Sequence, residues 1–362
     1  MSETADKERL DLAVVGAGLN GSLLALAAGE AGLRTALIDR QPLNAMTNAA
    51  FDGRTTAIAY TSQRLFQAVG VWDELAAEAE PILDIRISDA GYDGRASPLF
   101  LHFDHREAAD GDQAAAPMGW IVENRFLRAA LLRRLAACPN VELIAPDEAI
   151  ETHRDLYQVE VVLKSGRRLA ARLVASAEGR FGTMREDAGI GARAWSYNQV
   201  AIVVVARHEL PHRGVAQEKF LPGGPFAILP MRDGEAGEHR SSIVWTERAK
   251  LAKRLLELDA PSFQAEFARR FGDYLGHVET IGPRWSHPLG LVHAERYIDE
   301  RLVLVGDAAH GIHPIAGQGY NLGVRDIGLA AVNRVPPLRR FFVRHAMGMA
   351  GDLPKLIRGE RP

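Results

Sequence analysis

Short apolar runs punctuate this chain, and several of them stop at a glycine or an acid. Asp11-Leu-Ala-Val-Val15 is one such run, with the pattern of a strand buried on both faces. An Ala/Leu-rich stretch then predicts a helix to about Ala31. Thr35 to Ile38 predicts the next strand, and it ends in Asp39. Ile121-Val-Glu-Asn-Arg125 leads into a helix to Ala137, with Phe126, Leu127, Ala130, Leu131 and Leu135 on one face. Near the other end, Leu302 to Val305 predicts a buried strand that stops at Gly306-Asp307, and an apolar helix follows from about Tyr320 to Val332.

The middle of the chain has a different rhythm. Ile82 to Ser88 alternates, and Leu99 to Phe103 is its candidate neighbour. Strands are predicted at Val141 to Ile144, Ala149 to Thr152, Tyr157 to Leu163 and Leu169 to Ser176, with a hairpin turn at Lys164-Ser-Gly-Arg167. Ser196 to Ala206, Ala216 to Leu221, Phe226 to Pro230 and Ser241 to Thr246 form an antiparallel run, with turns at Gly223-Gly-Pro225 and Asp233-Gly234. Ala260 to Leu275 is a helix, and Trp285 to Leu289 returns the chain to the first domain. Phe220, Phe226 and Trp245 either line an apolar pocket or form plain core, with core the better prior. Glu107 to Ala116 has no core pattern and reads as surface loop.

Composition narrows the class. The 362 residues suffice for about two domains and a sizeable core. A net charge of −3 gives no argument for nucleic acid. Cys138 is the single cysteine, so neither an intrachain disulfide nor a thiolate cluster can form, which fits a reducing compartment. Met1 to Arg9 is polar, unlike a signal peptide, and Val200 to Ala206 is too short an apolar run to span a bilayer. No metal-ligand pattern and no nucleophile elbow are visible.

Chemistry enters at the ends of the predicted strands. Gly16-Ala-Gly-Leu-Asn-Gly21 lies between strand and helix, and Asp39 closes the following strand, which is the context a dinucleotide fingerprint needs. Gly16 makes the turn, Gly18 admits a pyrophosphate, Gly21 lets helix and strand pack, and Asp39, followed by Arg40, accepts from a ribose. Such a site takes NAD or FAD. A second carboxylate, Asp307, stands at the carboxyl end of another buried strand, where open α/β sheets bind ligands.

His313-Pro-Ile-Ala-Gly-Gln-Gly-Tyr-Asn-Leu-Gly-Val-Arg-Asp326 resembles the signature of the ubiquinone-biosynthesis flavin hydroxylases, a branch of the single-component FAD monooxygenases. The resemblance implies that Gly306 and Asp307 hold the ribityl chain. It implies that Pro314, Gly317, Gln318 and Gly319 set backbone beside the flavin ring, with His313 and Asn321 close by. Phe51-Asp-Gly-Arg54 is similar to a family segment whose arginine, here Arg54, lies near flavin and pyrophosphate. Asn124 matches a residue at the flavin edge, with an N-cap role as the alternative and Arg125 as a weaker candidate. Glu178-Gly179 and Gly182 depart from the wider family's Asp-Gly and Ser, which puts direct reduction by NAD(P)H in question. Without a second fingerprint, NAD(P)H binds transiently if at all, and another reductant is the alternative.

The implied architecture is mixed α/β. A Rossmann-like FAD-binding domain (1–80, 114–190 and 284–332) interleaves with an antiparallel-sheet substrate domain (81–113 and 191–283) and ends in a basic amphipathic helix over 333–362. The implied reaction is hydroxylation of a polyprenylated phenol by dioxygen through a flavin hydroperoxide, in a closed apolar pocket with no metal. His310 and His313 are candidates for proton transfer only by position. From Asn333 on there are seven Lys/Arg against two Asp/Glu, with Leu338, Phe341, Phe342, Ala346 and Met349 at helical spacing. That pattern suits an anionic membrane surface, a partner protein of the same pathway, or docking on its own domain. The implied location is cytoplasmic, peripheral to the inner face of the plasma membrane. Family members carry a long helical stretch that is missing at Val332, where an omission is the favoured reading. A soluble hydroxylase of small aromatic acids and a non-catalytic flavin-binding scaffold remain as other readings.

Overall fold

The computed structural model describes residues 9–47, 50–91, 96–108, 115–313 and 319–324. The predicted tail, the join at Val332 and most of the Glu107 to Ala116 loop lie outside them. Among the described residues, no helix is long and apolar enough to cross a membrane.

Two large sheets make the frame. In the first, Leu10–Val15 runs parallel between Thr35–Ile38 and Arg168–Ser176. Val141–Ile144 and Leu302–Leu304 extend it in parallel on either side. Val159–Leu163 and Ala149–Arg154 join antiparallel beside Arg168–Ser176. The two strands predicted to be buried, Asp11 to Val15 and Leu302 to Val305, thus lie in one parallel sheet on either side of Arg168–Ser176.

Helix Leu19–Glu30 is buried from Gly21 to Gly29, and together with Asn124–Ala136 it covers one face through Leu23, Leu26, Leu127 and Leu131. Its closeness to the sheet depends on glycine. A Cβ on Gly21 would overlap the Gly16 carbonyl oxygen, and one on Gly16, at φ +103°, would lie 2.5 Å from the Ala177 oxygen.

The second sheet is antiparallel apart from one parallel pair, Val215–Leu221 with Asp84–Ala90. Its two longest strands, Ala192–His208 and Val278–Ala294, pair along their length with two register shifts. Helices Ala249–Glu257 and Ala260–Phe271 cover one face. Ile202, Val204, Phe226, Trp245, Phe263 and Phe267 form the core between, so Phe226 and Trp245 are core and not pocket. Phe220, by contrast, is 38% exposed.

The second helix stops earlier than expected, at Phe271 and not Leu275. Gly272 turns the chain at φ +81°, and buried Lys219 donates from Nζ to the Arg270 and Phe271 carbonyls at 3.1 and 2.7 Å. Burial lowers the Lys219 pKa to about 8.

A small third sheet joins the halves. Thr55–Ala59, read from sequence as loop, pairs with Gly119–Glu123, which also pairs with Glu80–Ile82. Its Ile82 and Ile121 pack on Val205, Ala216 and Met231 of the substrate sheet. That contact identifies the substrate sheet's inner face, turned toward the parallel sheet. The return to the parallel sheet also comes later than the expected boundary at 284, because Val278–Ala294 stays in the substrate sheet throughout.

The glycine contact gives a test. Gly21→Ala is expected to cost roughly 1–3 kcal/mol through overpacking. The cost should show as a lower urea midpoint at unchanged slope.

Candidate active site

Three parallel strands end side by side, and their ends hold most of the predicted chemistry. The ladder continues past each strand: the Ala177 N–H donates to the Val15 carbonyl at 2.8 Å, and the Val305 N–H to Ser176 at 2.9 Å. Gly16 therefore sits two strands from Gly306, with Ala177 and Glu178 between.

The fingerprint glycines divide the work as their spacing requires. Gly16 and Gly21 are closed by backbone, whereas a Cβ on Gly18 would meet nothing within 4 Å. The backbone at this helix start is therefore open on the Gly18 side. Asp39 is held in place, accepting at Oδ2 from the Ala17 N–H (2.6 Å) and at Oδ1 from the Gln41 N–H (2.8 Å). Arg40 beside it is exposed.

Gly306 (φ +60°) lies against Asn20 of the fingerprint, and a Cβ there would overlap the Asn20 amide. On Asn20's other side a Cβ on Gly323 would be 2.6 Å from its Oδ1. That Oδ1 is buried and accepts from no described group. An orphan acceptor costs free energy unless something donates to it. Asp307, next to Gly306, faces a crevice: its side chain is open to solvent, yet protein walls it closely enough that burial raises its carboxyl pKa. Arg180 and His310 pull the other way. Arg180 also stands over Gly311, where a Cβ would be 2.9 Å from its Nε.

The other predicted residues divide. The Phe51–Arg54 loop and Asn124 do meet: the Asn124 N–H donates to the Arg54 carbonyl at 3.0 Å, and Asn124 Oδ1 accepts from Thr56 Oγ1 at 2.6 Å. Asn124 is thus not the N-cap, a position Glu123 holds without a side-chain bond. The Arg54 guanidinium is exposed and donates from Nε to Asp52 at 2.8 Å. Arg125 pairs with Glu123 at 2.7 Å and lies over the rings of Phe51 and Phe126. The Asn321 side chain is taken up by protein: Oδ1 accepts from the Ala59 N–H and Ser62, and Nδ2 donates to Ala57. Its amide clamps residues 319–324 to Thr55–Ala59, leaving only backbone for a cofactor.

His313 packs edge-on to Tyr197, with ring centroids 5.3 Å apart, and burial lowers its pKa. Pro314, Gly317 and Gln318 lie outside the described residues, and Gly319 begins the described helical turn.

The two departures in the Glu178 motif are in contact. Glu178 is held by the Ser176 hydroxyl, which donates to its Oε2 at 2.9 Å. A Cβ on Gly182 would lie 2.4 Å from the Glu178 Cβ, an atom that a shorter acid also carries, and 3.1 Å from Oε2. Elsewhere Asp84, Asp104 and His105 bring possible metal-ligand atoms within 4.8 Å of one another, a grouping not visible in sequence; Arg106 already pairs with Asp104.

The model of the family described as "FAD binding domain" matches residues 9–333. The ubiquinone hydroxylase UbiL of Rhodospirillum rubrum is 43% identical, with 98% of this chain and 94% of that one covered. Its alignment spans 420 positions, longer than the 362 residues here, so that relative carries segments with no counterpart in this chain. The 3-demethoxyubiquinol 3-hydroxylase of Escherichia coli is 34% identical, covering 88% of this chain and 77% of that one. Among solved structures, PqsL of Pseudomonas aeruginosa superposes with a TM-score of 0.73 over 93% of this chain and 88% of that one. At 21% identity that likeness concerns the fold alone.

The contact gives a test. Gly182→Ser should lower the melting temperature, and adding Glu178→Asp should restore little of it, because the closest overlap is with the Cβ that both acids carry. Removing that Cβ with Glu178→Gly should couple to Gly182→Ser by roughly 0.5–3 kcal/mol, as for residues in contact, measured by denaturant titration of the single and double variants.

Proposed function

The chain belongs to the flavin hydroxylases of ubiquinone biosynthesis, within the FAD binding domain family, and on that footing we propose that it hydroxylates a polyprenylated phenol on the way to ubiquinone. The observation that carries this reading is the junction at Asn20, which sets the Gly306-Asp307 strand end beside the fingerprint. One extended cofactor can then lie along both.

The residues present suit FAD. The open side at Gly18, between Gly16 and Gly21, would take the pyrophosphate, and Asp39 the adenosine ribose. Asp307, with Gly306, would accept from ribityl hydroxyls, and a donor there would also relieve the raised carboxyl pKa. Arg54 and Asn124 would stand at the flavin edge, and Gly319 with the preceding Pro314, Gly317 and Gln318 would flank the ring. When bound, FAD supplies the activation of dioxygen.

The chain's own part is to hold the phenol against the flavin and to keep water out. In the net reaction one oxygen atom enters a ring C–H bond. The other leaves as water, with an electron pair from NAD(P)H or another reductant. The apolar inner face of the substrate sheet, closed from below by Ile82 and Ile121, suits the exclusion of water. His313, packed on Tyr197 and favoured neutral by burial, can carry a proton at this site.

A membrane-borne substrate also gives the 333–362 segment a purpose. Its seven basic residues against two acids suit an anionic lipid surface, or other proteins of the pathway, at the inner face of the plasma membrane.

Two measurements test this reading. Purified protein should be yellow, and on reduction should consume dioxygen in step with a product heavier than the prenylphenol by one oxygen; colourless protein after incubation with excess FAD would refute it. Asp307→Ala should weaken FAD binding about tenfold to a hundredfold, the range for losing a charge-assisted hydrogen bond. Wild-type affinity should fall toward acid pH as the Asp307 carboxylate takes up a proton, and the variant should lose that dependence.

A further inference from the structure

One carboxyl on the substrate sheet has no structural task. Register assigns the inner face row by row. Val203 pairs with Trp285 and Val244, Val244 with Ala227, Ala227 with Glu218, Glu218 with Ile87, and Ile87 with Leu101. Side chains of paired residues share a face. The row's direction is certain at two places: the Trp285 ring packs on Phe51 of the flavin-side loop, and Ser242, two residues from Val244, accepts from Thr55 Oγ1 at 3.2 Å. Lys219, the next residue along from Glu218, points the opposite way, into the helix-covered side.

Every member of this row is apolar except Glu218. It is half-buried, and no described residue gives it a hydrogen bond or an ion pair. Burial alone raises its carboxyl pKa, with no cation offsetting the shift. An unpaired acid in an apolar lining is costly unless a ligand repays it. It stands two strands, roughly 10 Å, from Val244 at ladder spacing, within reach of an aromatic ring held over the sheet. Beyond it lie Ile87 and then Leu101, which is 62% exposed. The row thus matches a ligand that is apolar on both sides of one hydroxyl-bearing ring.

We infer that Glu218 anchors the substrate: its carboxyl hydrogen-bonds a ring hydroxyl and so sets which ring carbon faces the flavin. This rests on the hydroxylase reading above and names a specificity-determining residue for it.

The test uses FAD-loaded full-length protein and a phenol with a short geranyl-length tail, following the flavin absorbance change on binding and the ratio of hydroxylated product to peroxide. Glu218→Leu should weaken binding about tenfold to a hundredfold, the loss of a charge-assisted hydrogen bond. It should also raise KM and shift turnover toward peroxide, with FAD content unchanged and the melting temperature no lower. Glu218→Gln, which keeps the shape and an acceptor, should recover most of the affinity. If wild-type protein responds to the phenol and Glu218→Leu binds it equally well, with the same product ratio, the anchor is overturned alone. If wild-type protein responds to no phenol, the hydroxylase reading falls and the anchor with it. If Glu218→Leu loses FAD or melts early and Glu218→Gln binds the phenol as weakly, Glu218 is structural and the anchor is likewise overturned.

Discussion

Everything at this site depends on how closely the first helix can approach the strand ends. Gly21 lies on the Gly16 carbonyl, and Asn20 is wedged between Gly306 and Gly323 with room for no Cβ on either glycine. Segments almost three hundred positions apart in the chain thereby share one side chain. The contact is steric: an added methyl on Gly21 must push the helix from the strand, and one on Gly306 or Gly323 must displace the Asn20 amide. Its polar part is incomplete, since Asn20 Oδ1 accepts from no described group. A site that is packed to contact but unsatisfied in its hydrogen bonding is prepared for a ligand.

The second half follows another rule. A strand alternates its side chains, so one stretch can serve two surfaces. Val215–Leu221 shows this well. Lys219 closes the end of a helix on one side, while Glu218 and Phe220 face the other. The helix-covered side is filled by aromatic core, from Phe226 and Trp245 to Phe271. The inner side keeps smaller residues, Val203, Val244 and Ala227, which leave space above the sheet.

Legibility in the sequence tracked how local the cause was. The fingerprint, its strand, its helix and Asp39 could be read because each depends on neighbours within a few residues. Thr55–Ala59 could not: Thr-Thr-Ala-Ile-Ala is short and follows a polar loop, and its strand is made by pairing with Gly119–Glu123, far along the chain. Val278–Ala294 was hidden by Gly282, Pro283 and Pro288, which break the apolar alternation inside the strand. The structure absorbs Gly282 and Pro283 between the Val203 and Val205 pairings, where the register shifts. Glu178 and Gly182 stood out as two separate departures, and only the structure shows that they touch. Glu218 gave no local signal at all, because its isolation is a property of six other strands.

The paired strands Ala192–His208 and Val278–Ala294 have a mechanical meaning of their own. At one end Val292 and His293 pair with Gly311 and His310, next to Asp307; at the other, His208 pairs with Val278 under the helices. Seventeen residues of strand span roughly 55 Å, and such a ladder stretches very little. It works as a gauge bar, holding bench and tool at a fixed separation in every copy of the molecule.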